Sequence, residues 1–173
     1  MTQYDPDMIS MPTNPVWTDI RDAVGRLCED FDNGYWLKLD KEDAYPHDFV
    51  STLTESGFLG ALIPEEYGGS GLPISAACAV LETIHAKGCN AAACHAQMYT
   101  MGTVLKHGSE EQKQKYLPKI ATGKLRLQAF GVTEPTTGSD TTQLKTKAEK
   151  TDRGTYIVNG QKVWTSRAFE SDL

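Results

Sequence analysis

The sequence predicts a mainly α protein with a C-terminal antiparallel β portion. Three observations carry that class. Apolar residues recur at three- and four-residue spacing through the first three quarters of the chain, in runs bounded by caps and glycines. From Leu125 onward the pattern changes to alternating, β-branched and aromatic segments. Between those segments stand Asp152-Arg153-Gly154 and Asn159-Gly160, which read as hairpin turns, the second with the φ > 0 preference of a tight type I′ turn.

Each element has its own signal. Asn14 before Pro15 predicts an N-cap with proline in the first turn, and Val16, Ile20, Ala23, Leu27 and Phe31 follow at helical spacing. Pro46 opens a second helix with Phe49, Val50 and Leu53 on one face and Gly57 at its end. PEEYGGSGLP, residues 64–73, has four of its ten positions as glycine or serine between two prolines and predicts a loop. A third helix is expected over 74–87, with Ile74, Cys78, Leu81 and Ile84 as its buried stripe and Gly88 as its stop. Asn90 caps a fourth, whose inward face is Cys94, Met98, Met101 and Leu105, closed by His107 and Gly108. Ser109 and Gln112 have capping-box spacing at the head of a fifth, interrupted at Pro118 and finished by Gly123. The strand candidates are LRLQAFGV, KTKAEKT, YIV and KVWT. A helical domain over 1–124 and the beginning of a β domain over 125–173 follow.

Bulk properties narrow the function classes. The 173 residues are enough for one domain with a real core. Seventeen Lys and Arg against 23 Asp and Glu give a net charge of −6, and no basic run or helical face stands out, which argues against nucleic acid. The N-terminal MTQYDPDMISMPTNP has two aspartates, no Lys or Arg and no apolar core, so it resembles neither a signal nor a transit peptide. No apolar run reaches membrane-spanning length. Four irregularly spaced cysteines, Cys28, Cys78, Cys89 and Cys94, argue against a disulfide-stapled secreted module, and a reducing cytoplasm is expected.

The stretch FGVTEPTTGSD, residues 130–140, carries the most chemistry. Its Thr133, Thr136, Thr137 and Ser139 hydroxyls, with backbone N–H groups freed by Gly138, can cradle a phosphate or pyrophosphate. The same residues also make a polar turn that caps itself, and residue types alone do not separate the two. His85, Cys89, Cys94 and His95 fall within eleven positions, but their spacing fits no common zinc pattern and Gly88 with Asn90 breaks the helix between them. Small buried cysteines and no metal are expected there.

GFLGALIPEEYGGSG, GSEEQKQKYLPKIATG, FGVTEPTTGSD and GQKVWTSRA stand in this order, and together they resemble the acyl-CoA dehydrogenase family from about Val16 to the last residue. The resemblance implies a helical N-terminal domain followed by an incomplete β-barrel-like domain that helps hold FAD. By the same resemblance Phe130 takes the place of an aromatic at the flavin edge, Val132 offers backbone contact to the isoalloxazine ring, and Thr133 bonds its pyrimidine side. Ser139 lies where the family contacts the FAD pyrophosphate and the substrate's phosphopantetheine arm. Trp164 matches the tryptophan that packs on the flavin. Where many members read W-I-T, this chain reads Trp164-Thr165-Ser166, so the hydroxyl near N5 is expected from Ser166.

The family inserts an α,β double bond into acyl-CoA thioesters, with a glutamate removing the α proton and the flavin accepting hydride. That glutamate belongs to a C-terminal domain, so no catalytic residue is expected among these 173, and the isolated chain is expected to be helical, prone to associate, colourless and inactive. Glu134 reads as a turn residue with a capping or ion-pairing role. An electron-transfer flavoprotein or similar acceptor and a homo-oligomeric state are implied as well. The competing expectation is a non-catalytic interaction protein that retains a dehydrogenase-like helical domain.

Overall fold

The computed structural model describes residues 15–173, with side chains from Trp17 onward. The expected cap Asn14, the Val16 side chain and the N-terminal stretch therefore lie outside the described residues. Helix α1, Pro15–Cys28, buries Val24 and Cys28, with Ile20 and Leu27 partly covered. Phe31, past its end, meets Tyr35 and Phe49 edge-on at 5.0 Å. Next comes a helix that the apolar spacing does not announce, α2, Asn33–Glu42, capped by the Asp32 carboxylate accepting from Tyr35 N–H at 2.9 Å. It buries no residue fully, so it has no clean apolar stripe. Its anchors are Tyr35 and Trp36, half-buried against the aromatic cluster.

Helix α3, His47–Glu55, follows Pro46 and buries Phe49, Val50 and Leu53, as the spacing predicts. The 64–73 loop contains a short 3-10 turn, and Tyr67 docks it by donating to the Glu110 carboxylate at 3.0 Å. Helix α4, Ile74–Ala86, corrects the expected stripe. Ile74 is 68% exposed and Cys78 is exposed, whereas Ala76, Ala77, Ala79, Val80, Thr83 and Ile84 are buried. The helix packs between α1 and helix α5, Ala92–His107, and small side chains let it approach both, so the alanines define a wide buried face. Asn90 caps α5 from two residues before it, accepting from Ala92 N–H at 2.9 Å. Cys94, Met98 and Met101 are buried along α5, with Leu105 partly covered.

Helix α6, Glu110–Ala121, opens on the reciprocal Ser109–Gln112 capping box. It runs through Pro118 without interruption. Proline there removes one N–H whose partner would be the carbonyl of exposed Gln114, which water can serve, while Leu117 and Ile120 on either side are fully buried. Phe49, Leu53, Val80 and Ile84 centre one apolar cluster; Ile63, Met101, Leu117 and Ile120 centre a second. Each such side chain contributes about 1.5–3 kcal/mol by leaving water.

The β portion is a hairpin. Strands β1, Lys147–Lys150, and β2, Tyr156–Asn159, pair antiparallel with Lys147 opposite Asn159 and Lys150 opposite Tyr156. Gly154, at φ 76°, turns the connection. Asn159-Gly160 forms no type I′ turn, because Asn159 is still paired in β2 and Gly160 is nearly extended. Glycine is required at 160 because a Cβ would collide with the Thr146 side chain. The LRLQAFGV and KVWT segments enter no ladder: Val163 N–H donates to Thr133 O at 2.9 Å, Trp164 turns away at φ 61°, and no strand continues from that bond.

A polar seam joins the two portions. Tyr45 donates to Gln128 Oε1 at 2.7 Å, and Gln128 Nε2 donates to Gln97 Oε1 of α5 at 3.3 Å. Both glutamines are 1% exposed. Ser171 Oγ accepts from Gln128 and Ala129 N–H, and Asp172 brackets Arg126. Among the described residues no helix is long and apolar enough to cross a membrane, and the four cysteines are free thiols.

Candidate flavin-facing site

The 130–146 segment is shaped by its own polar groups. Glu134 and Thr137 exchange two backbone bonds, at 2.8 and 3.1 Å, closing a turn over Pro135 and Thr136. The Thr137 hydroxyl reaches Gln143 O at 3.3 Å. Asp140 accepts from Thr142 N–H at 3.2 Å and from the Thr142 hydroxyl and Gln143 amide, which hold its carboxyl below the usual range. The expected self-capped polar turn therefore exists.

Glu134 performs the ion pairing expected of it and more. Its side chain is 4% exposed; Oε2 accepts from Lys145 N–H at 2.7 Å, and Oε1 from Thr146 N–H and from Lys162 Nζ, each at 2.9 Å. The Thr146 side chain, the Lys145 N–H and the Lys162 ammonium bring its carboxyl down to about 2, so it is ionised at neutral pH. Lys162 also donates to Val132 O at 2.9 Å. This pairing links positions 28 apart and is invisible to any short-range pattern. The only cue in the sequence is Lys162 itself, two residues before Trp164.

The predicted residues fall into two groups. Phe130, 49% exposed, stacks edge-on against Tyr99 of α5 at 5.2 Å, and Tyr99 meets His95 at 5.1 Å. Val132 and Thr133 are half-buried, with both carbonyls taken, by Lys162 and by Val163 N–H respectively. Trp164 directly follows that bond, with its ring 88% exposed. Ser166 and Ser139 are exposed. The structure thus brings 130–133 alongside 162–165, where a Cβ at Gly131 would touch Lys162 and lie 3.5 Å from Thr165 Oγ1. It makes no hydrogen bond from Ser139 or Ser166 to that pair of segments among the described residues.

The donors and faces present suit a flavin. Among the described residues the Thr133 N–H meets no acceptor, Ser139 and Ser166 are exposed, and the rings of Phe130 and Trp164 are open to solvent. Both acidic groups of the loop are already satisfied. Tyr99 and His95, which the apolar pattern of α5 passes over, extend the aromatic face beyond Phe130.

Two cavities differ in their relation to this site. A cleft of about 870 Å³ runs between α2 and the end of α4, lined by Trp36, Asp40, Pro46, His85 and Cys89 among others, and shares no residue with the 130–139 or 162–166 segments. One of about 460 Å³ touches Thr165 and Arg167 on one side and Tyr45 and Asn90 on the other. The described residues hold no cluster of three metal-binding side chains. Burial pushes the Cys28 and Cys94 thiols up to about 12.

Comparison with known proteins agrees with this architecture. The family model for the N-terminal domain of acyl-CoA dehydrogenases matches residues 17–124, and that for the middle domain matches 129–173. A glutaryl-CoA dehydrogenase of Desulfococcus multivorans is 40% identical over 141 residues, 78% of this chain and 35% of that protein. The solved complex of a glutaryl-coenzyme A dehydrogenase with glutaryl-CoA aligns with TM-score 0.80 and 30% identity, over 95% of this chain and 42% of that one. An acyl-CoA dehydrogenase of Bacillus anthracis complexed with FAD aligns with TM-score 0.69 and 29% identity, over 94% and 28%. The chain spans little more than a third of the length of the curated relatives it matches.

Proposed function

The chain belongs to the acyl-CoA dehydrogenase family, and from that premise we propose that its residues form one wall of an FAD site used for α,β-dehydrogenation of acyl-CoA thioesters. The observation that carries the proposal is the bond from Val163 N–H to Thr133 O at 2.9 Å, which sets the TEP segment beside the segment bearing Trp164 and Ser166. FAD-bound and acyl-CoA-bound relatives of the same fold support it. We further propose the division into a helical domain, 1–124, and a flavin-facing segment, 125–173.

When bound, FAD supplies the hydride acceptor. The protein's part in this region is to hold and orient. Phe130 and Trp164 provide aromatic faces for a planar ring, Val132 the backbone beside it, and the Thr133 and Ser166 hydroxyls donors for ring acceptors. The exposed Ser139 hydroxyl, on the loop tip, is assigned to the pyrophosphate and the phosphopantetheine arm. No residue of this chain is assigned as the base. Transfer of electrons to an electron-transfer flavoprotein, homo-oligomerisation and a cytoplasmic location complete the proposal.

The test is made on the full gene product, including whatever the reading frame encodes after Leu173. Purified protein is expected to be yellow, to keep FAD through gel filtration and to bleach with an acyl-CoA. Ser166→Ala is expected to slow flavin reduction or weaken FAD retention more than Thr165→Ala. Bleaching by free acids or amines but by no acyl-CoA would overturn the substrate class, and equal, negligible effects of both substitutions would overturn the placement of Ser166.

A further inference from the structure

The flavin wall has a support that the proposed contacts do not include. We infer that Glu134 and Lys162 act together as positioning residues for the Val132–Thr133 peptide: Lys162, held by the Glu134 carboxylate, draws the Val132 carbonyl toward itself and turns the Thr133 N–H to the opposite side, toward the flavin. The inference rests on the reading of 130–133 and 164–166 as that wall.

Three features of the geometry lead there. First, a trans peptide points its C=O and N–H in opposite directions, and none of the described peptide bonds is cis. With the Val132 carbonyl fastened to Lys162 Nζ at 2.9 Å, the orientation of the Thr133 N–H is set by that one side-chain donor. The following peptide is fastened at both its groups, Thr133 O accepting from Val163 N–H at 2.9 Å and Glu134 N–H donating to Thr137 O at 2.8 Å, so the chain is held on that side of the Val132–Thr133 peptide. Second, the Thr133 N–H is a donor with no acceptor among the described residues, although the residue is half-buried. Third, Lys162 is itself fixed. Its amine bonds Glu134 Oε1 at 2.9 Å while the same carboxylate takes the Lys145 and Thr146 N–H groups, so displacing Lys162 leaves a nearly buried carboxylate short of its counter-ion.

A polar triangle of this kind could serve only to close the loop onto β1. The two roles separate experimentally, because loop closure affects stability whereas orientation of the Thr133 N–H affects the bound flavin. In the full gene product, Lys162→Met and Glu134→Gln are compared with wild type by FAD titration, by the visible absorption spectrum of the bound flavin, and by thermal melting in far-UV circular dichroism. Losing a charge-assisted hydrogen bond that orients a ring donor should weaken FAD about tenfold or more. It should also shift the visible bands of the flavin that remains bound. Lys162→Arg, which keeps the charge and a donor, should restore part of both. Should Lys162→Met fail to fold, the isosteric Glu134→Gln carries the comparison.

Variants that melt earlier but bind flavin with wild-type affinity and spectrum would overturn the inference and leave a structural clamp. A wild-type protein that takes up no FAD would overturn the functional reading, and the inference with it. Wild-type uptake with indifferent variants would sink the inference alone.

Discussion

The two portions of this chain are held together by different forces. In α1–α6 the buried side chains are mostly aliphatic, aromatic or alanine, and three of the buried polar ones, Thr54, Thr83 and Thr100, satisfy their hydroxyls on the carbonyl four residues earlier. From residue 125 to 173 the buried residues are Gln128, Glu134 and Thr137, with no apolar side chain among them. The first portion is a core driven by area removed from water; the second is a set of hydrogen bonds and one buried ion pair laid against it. Apolar burial is non-directional and tolerates variation in angle, whereas a hydrogen-bonded arrangement fixes direction. The portion proposed to face a cofactor is the directional one.

That contrast can be broken first at the apolar core. Phe49→Ala removes the ring at the centre of the aromatic cluster and is expected to destabilise the helical portion by about 3–5 kcal/mol, measured by urea titration of the far-UV signal. An unchanged midpoint would mean the core is not where burial places it.

Acid should open the second portion without the first. The Glu134 carboxyl, held at about 2 against an ordinary 4.5, stabilises the folded loop fully above about 4.5, and that stabilisation is lost as pH falls through about 2. The protection of the Lys145, Thr146 and Val163 amides, taken relative to intrinsic exchange at each pH, should fall across that window while the helical signal persists. In Glu134→Gln the same amides should be less protected already at neutral pH, with little further loss of protection on acidification. A smaller effect sharpens the comparison from the helical side. Ser109→Ala removes the capping box of α6 and is expected to cost about 1 kcal/mol in thermal unfolding, leaving the loop amides untouched.

Legibility in the sequence follows the same division. Helix α3 and the head of α6 are readable because their determinants are local: Phe49, Val50 and Leu53 one turn apart, and Ser109 with Gln112. Helix α2 escapes because Tyr35 and Trp36 are held by Phe31, past the end of α1, and Phe49 of α3, which no periodicity within NGYWLKLDKE reveals. On α4 the bulky residues suggest one face and the alanines make another, since close approach of two helices rewards small side chains. Pro118 reads as a break only when its neighbours' burial is unknown. In the site, the TEP and GQK-x-W motifs locate the residues, and their mutual placement depends on Lys162 reaching back to Glu134 and Val132.

The glutamine seam between the portions acts as an index mark. Gln128 and Phe130, two residues apart, both reach α5, one to Gln97 and the other to Tyr99. A shift of one residue would take Gln128 away from Gln97 and Tyr45, leave a buried amide without its partner, and move Phe130 off Tyr99. An aliphatic pair at 97 and 128 would accept either alignment almost equally; two amides that can satisfy one another in a single alignment do not. The ring of Phe130 is thus set in place by a hydrogen bond made two residues upstream.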